Sequence, residues 1–134
     1  MNAKAFFDTN VLIYAVSRDD PRQNRALDLL SIGGLVSVQV LNEFVSVTRR
    51  KLRRPWEDVK ESLAWIRLLC PNPIPLTQDV HETAVKIAER YGFHIYDAVV
   101  VASALEAGCD VLYSEDLQDG QLIAGSLTVR NPFA

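Results

Sequence analysis

The 134-residue sequence has only two cysteines, Cys70 and Cys109, and no C-x-x-C pattern. This excludes a disulfide framework and leaves both as small buried apolar side chains, with no local feature that would activate either thiol. The two histidines, His81 and His94, lie too far from each other and from the cysteines to form a zinc-ligand hook, and are expected to be surface or packing residues. Long hydrophobic runs are missing too. Asp8 and Asn10 interrupt the apolar N-terminal stretch, so neither a signal peptide nor a membrane span is supported, and a cytoplasmic location is expected. An excess of positive charge is also absent: 14 Lys and Arg face 17 Asp and Glu, for a net charge of −3. Nothing of this composition holds nucleic acid by overall charge, so any contact with phosphates must be local. Glycine is scarce, and "SIGGLVS" has no lysine after its glycine pair, which removes a phosphate-cradling loop.

What remains is a chain that is 49% hydrophobic, with no repeat, no low-complexity segment and no linker rich in Gly, Pro or Ser. One domain spanning residues 1–134 is expected. Strand and helix signals alternate along it. Lys4 to Phe7 reads as a strand and "DTNVLIYAVS" as a short helix; Arg22 to Leu30 reads as a helix and "GGLVS" as a short strand. Val38, Leu41, Phe44, Val45 and Thr48 recur at helical spacing up to "RRKLRR", and Pro55 opens another helix with acidic residues in its first turn. Thr77 is the expected N-cap of the next helix and Gly92 its left-handed stop. "IYDAVVVASALEAG" is apolar nearly all round, which predicts a helix buried in the middle of the domain, and "CDVLYS" and "SLTVRN" read as strands. The alternation predicts an α/β fold: a central parallel sheet flanked by helices, with ligands bound where strands end and helices begin.

Asp8 and Asp116 both follow predicted strands, Asp97 stands in the first turn of the apolar helix, and Glu43 sits among Val40, Leu41, Phe44 and Val47. Each acid alone has an ordinary role as a cap, a dipole partner or a turn residue. Together they raise an electrostatic problem. Two carboxylates about 4 Å apart repel by roughly 4 kcal/mol at an effective dielectric of about 20, so several in one place need protons or a cation. A hard divalent ion with oxygen ligands solves this and supplies phosphodiester chemistry.

Four motifs carry a resemblance: "FFDTNVLIYA", "VLNEF", "IYDAVVVASALEAG" and "VLYSEDLQDG" occur in the order and spacing of PIN-domain proteins. The chain resembles the VapC-type toxin ribonucleases of VapBC toxin–antitoxin pairs, from Phe6 almost to its C-terminus. The resemblance implies a PIN-like fold and an endoribonuclease in which Asp8, Glu43, Asp97 and Asp116 hold one or two Mg²⁺ or Mn²⁺ ions. A metal-activated water would then hydrolyse RNA. Asp8 and Asp97 would be the central ligands, with Thr9, Asn10 and Ser114 supporting them from behind. The last acid is the least regular, and Glu115 and Asp119 compete with Asp116 for it. The resemblance also implies a cognate antitoxin and a homodimer, whose interface the apolar faces around Val38 to Val47 and Trp65 to Leu69 are candidates to supply.

Arg49, Arg50, Lys51, Arg53 and Arg54 concentrate five of the 14 basic residues beside Trp56, as a contact for RNA, for the antitoxin, or simply as a solvated helix end. Two rivals remain. "DTN" is also similar to the start of haloacid-dehalogenase-type phosphatases, but Asn10 stands where those need a general acid. The other is a catalytically inactive module of the same fold that binds RNA or protein, which would tolerate Asp8→Asn.

Overall fold

The computed structural model describes residues 4–134. A three-residue strand, β1 (Ala5–Phe7), is followed by five helices: α1 (Thr9–Ala15), α2 (Gln23–Ile32), α3 (Val38–Arg50), α4 (Trp56–Leu69) and α5 (Gln78–Tyr91). A sixth, α6 (Ile95–Glu106), leads into β2 (Val111–Tyr113), β3 (Leu122–Ile123) and β4 (Leu127–Arg130). The sheet order is β1-β2-β4-β3. β1 pairs parallel to β2, with Phe7 opposite Tyr113, and β2 pairs parallel to β4. The expected parallel sheet is present, with one addition: β3 runs antiparallel to β4 and makes the sheet mixed. A two-residue strand is too short to show period-two alternation, which is why the sequence reading missed it.

"GGLVS" forms isolated bridges rather than a full strand. Phe6 is bridged in parallel to Leu35, and Ser37 in parallel to Ile74, so backbone pairing continues past β1 as far as "PNPIPL". Gly34 permits this approach. A Cβ placed there would stand 2.5 Å from the Phe7 ring and 3.0 Å from the Ala5 carbonyl oxygen.

Short strands offer few hydrogen bonds, so apolar burial carries the fold. Phe6, Phe7, Leu112, Leu127 and Val129 are fully buried in the sheet, and each such side chain contributes about 1.5–3 kcal/mol. α6 is the central helix, as expected: every residue from Ala98 to Ala104 is buried, and α5 lies along it. Thr77 caps α5 by accepting from the Val80 N–H, and Gly92 ends it at φ 72°. In α3, Val40 and Phe44 enter the core while Val38 stays exposed, and in α4 Leu68 is exposed while Ile66 is buried. The two apolar faces therefore divide between core and surface. Cys70 and Cys109 are buried and unbridged. Among the described residues no helix is long and apolar enough to cross a membrane.

Gly34→Ala is expected to cost about 1–3 kcal/mol, because the new methyl must displace the fully buried Phe7 ring. Urea denaturation measures it, and a midpoint equal to the parent's would show that the β1–Leu35 approach has slack.

Candidate active site

Parallel strands in register bring their following residues to one edge. Because Phe7 lies opposite Tyr113, Asp8 and Ser114 leave the sheet side by side, and the Asp8 N–H donates to the Tyr113 carbonyl. Asp8 is also the N-cap of α1: one carboxylate oxygen accepts from the Thr9 N–H at 2.7 Å. Its other oxygen accepts from the Ser114 hydroxyl at 2.8 Å. The same hydroxyl accepts from the Asp116 N–H at 3.2 Å, so one serine ties the first acid to the loop that carries the last.

The next two residues of the turn each take a different acid. Thr9 donates its hydroxyl to Glu43 of α3 at 2.8 Å, and the Asn10 amide faces both oxygens of Asp116 at 3.3 and 3.4 Å. Thr9, Asn10 and Ser114 thus serve three separate carboxylates. Asp97 stands in the first turn of α6, within range of the charge of Asp116. His94 caps that helix, its ring nitrogen accepting from the Tyr96 N–H at 3.3 Å. His94 carries no sequence signal for this role, because the usual caps are Ser, Thr, Asp and Asn.

The acids feel one another. Asp8 is only 4% exposed, and burial, with smaller contributions from the charges of Asp116 and Glu43, pushes its carboxyl up to about 6 despite the bonds from Ser114 and Thr9. Burial and Asp116 raise Asp97, which only His94 offsets. Burial, Glu115 and Glu43 raise Asp116 in turn, against the pull of Asn10. Among the described residues no lysine or arginine acts on any of the three. The donors that hold Asp8, Glu43 and Asp116 are neutral hydroxyl, amide and backbone groups, each contributing about 1 kcal/mol, which orient a carboxylate without cancelling its charge. Among the described residues no three acidic, histidine or cysteine side chains stand in ready-made ligand geometry. In this structure Glu43, Asp116 and one oxygen of Asp8 are turned to Thr9, Asn10 and Ser114 instead.

The competitors for the last acid are occupied elsewhere. Asp119 accepts from the Asn131 N–H at 2.9 Å, closing its loop onto the end of β4, and Glu115 accepts the Tyr14 hydroxyl proton. The basic run also divides. Only Arg49 and Arg50 belong to α3, Lys51 caps it, and Arg53 turns left-handed at φ 52°. Arg49 stacks over Trp56 at 4.5 Å and donates to the Arg54 carbonyl, while Arg54 donates to the Val16 carbonyl at 2.7 Å. Arg54 lines a separate cleft of about 520 Å³ with Arg18, Asp58, Glu61 and Trp65, and none of the four acids borders it. Arg50, Lys51 and Arg53 remain exposed.

The fold and the site together define an α/β protein with an uncompensated acidic pocket at the carboxyl ends of parallel strands. The chain belongs to the PIN domain family, whose family model matches residues 5–118. Solved structures share its fold. VapC20 of Mycobacterium tuberculosis, described as a sarcin-ricin-loop-cleaving toxin, is 22% identical with a TM-score of 0.69, over 83% of this chain and 88% of that one. A toxin–antitoxin complex from Klebsiella pneumoniae gives 23% identity and a TM-score of 0.72, over 97% and 98%. VapBC2 of Rickettsia felis, bound to a DNA fragment from its promoter, gives 16% and 0.67, over 95% and 98%. No individually curated protein matches the sequence significantly.

The raised carboxyl of Asp8 gives a stability prediction. Its folded value, about 6, lies above the ordinary 3.8, so the folded state holds the proton more tightly than the unfolded chain does. The resulting stabilisation is complete below pH 4 and is lost as the pH rises through 6, by up to roughly 3 kcal/mol. In EDTA, the unfolding free energy of the wild type should fall between pH 4 and 7 relative to Asp8→Asn, whose amide is always neutral. Parallel curves for the two proteins in urea titrations at several pH values would refute the buried charge.

Proposed function

We propose that this protein is a divalent-metal-dependent endoribonuclease, the toxin component of a toxin–antitoxin pair. The observation that carries the proposal is that Asp8, Glu43, Asp97 and Asp116 act on one another by charge while, among the described residues, no lysine or arginine offsets the shifts of Asp8, Asp97 and Asp116. All the donors are hard oxygens, the set that suits Mg²⁺ or Mn²⁺ rather than a thiophilic metal. When bound, such an ion activates water and stabilises the leaving oxygen of a phosphodiester.

The chain's own residues supply position and charge. Asp8 and Asp97 are the central ligands, with Asp116 and Glu43 completing the set. Ser114, Thr9 and Asn10 hold Asp8, Glu43 and Asp116 respectively at the edge of the site, and the acids would turn from these donors to an arriving ion. No side-chain nucleophile takes part: both cysteines are buried, and burial pushes their thiols up to about 11, far from the reactive thiolate. The exposed Arg50, Lys51 and Arg53 supply a local handle for RNA phosphates or for the acidic surface of an antitoxin. The toxin–antitoxin complexes among the structural neighbours support the antitoxin as a partner; a homodimer and a cytoplasmic RNA target belong to the same proposal. No observation favours the inactive binding module.

The test is cleavage of transfer, ribosomal and unstructured RNAs by purified protein with Mg²⁺, Mn²⁺ or EDTA. Cuts at a few sites, abolished by EDTA and reduced about 100-fold or more in Asp8→Asn and Asp97→Asn, are expected. Cutting that survives either substitution would contradict the proposal. Reversing the charge of Arg50 and Lys51 together should weaken RNA binding and lower its salt dependence by about two counterions, read from affinity against salt concentration.

A further inference from the structure

Glu115 and Asp116 are adjacent, both are carboxylates, and both leave β2 at the same edge, yet they end in different environments. Asp116 faces Asn10 in the acid pocket, whereas Glu115 accepts the hydroxyl proton of Tyr14. Tyr14 is a buried residue of α1, 101 positions away in sequence. Its oxygen accepts in turn from the Arg22 guanidinium at 2.8 Å, and that guanidinium lies 3.6 Å from the Tyr14 ring centre. Two further nitrogens of Arg22 grip Asp20, at 2.9 and 2.8 Å. Phe133 packs edge-on against the Tyr14 ring at 4.9 Å. An aromatic ring packed in the core thus aims its part-buried hydroxyl at one carboxylate, braced from behind by an ion pair.

We infer that Tyr14, braced by Arg22, is a positioning residue that holds Glu115 outside the acid pocket, so that Asp116 alone contributes this loop's carboxylate to the metal ion. The inference rests on the metal-dependent reading above. Glu115 is close enough to raise Asp116 by charge, so its placement matters for the pocket. Held by the tyrosine hydroxyl, its charge has a partner. Released, it becomes a fifth acid beside the four and competes with Asp116 for the ion. Burial and Glu115 together push the Tyr14 hydroxyl up to about 12, so it remains a donor throughout the range in which RNA is handled.

Tyr14→Phe removes one oxygen and keeps the ring that packs on Phe133. Mn²⁺ affinity by calorimetry and RNA cleavage are compared in the wild type, Tyr14→Phe, Glu115→Gln and the double variant. The expected result is a split: Tyr14→Phe binds Mn²⁺ several-fold more tightly, because an extra carboxylate joins the pocket, and cleaves about 10-fold more slowly, because the ion is drawn off its position. The double variant returns both quantities to wild-type values, and Glu115→Gln alone leaves Mn²⁺ affinity near wild type. A purely structural lesion would weaken binding and cleavage together and would not be rescued by Glu115→Gln. Wild-type behaviour of Tyr14→Phe, or failure of the double variant to restore it, overturns the inference while the metal site stands. A wild-type protein that binds no Mn²⁺ overturns the metal reading and this inference with it.

Discussion

Like charges gathered where, among the described residues, no lysine or arginine offsets them are the constraint on which the rest of this structure depends. Asp8 is buried directly after the fully buried Phe6 and Phe7 of β1, and the charges of Asp116 and Glu43 act on it there. Such an arrangement opposes folding at neutral pH. It persists because apolar burial elsewhere offsets it: the sheet side chains of Phe6, Phe7, Leu112 and Val129 are withdrawn from water, and α6 is buried across seven consecutive residues. A pocket that costs stability and is held by neutral hydroxyl, amide and backbone groups is what one expects of a site built for a cation.

The local chemistry that builds the pocket is compact. One turn, Asp8-Thr9-Asn10, supplies an acid that caps its own helix and two donors for acids from α3 and from the loop after β2. A second turn, Ser114-Glu115-Asp116, supplies the hydroxyl that answers Asp8 and places two neighbouring carboxylates in different surroundings. Parallel register makes the two turns neighbours, so the sheet topology, rather than any long-range side-chain search, sets the geometry of the site.

Much of this was legible in the sequence, because its signals are local. Asp8 and Asp116 stand after strands, Asp97 stands in the first turn of an all-round apolar helix, and the cap and stop of α5 fall at Thr77 and Gly92 as periodicity and capping rules require. Four ordered motifs also point to the PIN domain family, whose model the chain matches. What escaped had no local signal. β3 and the Ile74 bridge are one or two residues long, below the length at which alternation can be read. The basic run looked like one surface, but two of its arginines are consumed by backbone carbonyls. Tyr14 read as one more apolar residue of a helix, and its hydroxyl acquires a purpose only when the fold brings Glu115 to it.

The central claim is that the acidic pocket accepts a divalent cation in exchange for its own repulsion, and thermal unfolding with and without Mn²⁺ tests it most directly. An ion at about 100 times its dissociation constant stabilises the folded state by roughly 2.7 kcal/mol. At pH 7.5 the account predicts a rise in melting temperature of several degrees, which shrinks as the pH falls below 5 and protons take the cation's place. A melting temperature indifferent to Mn²⁺ at pH 7.5 would contradict it.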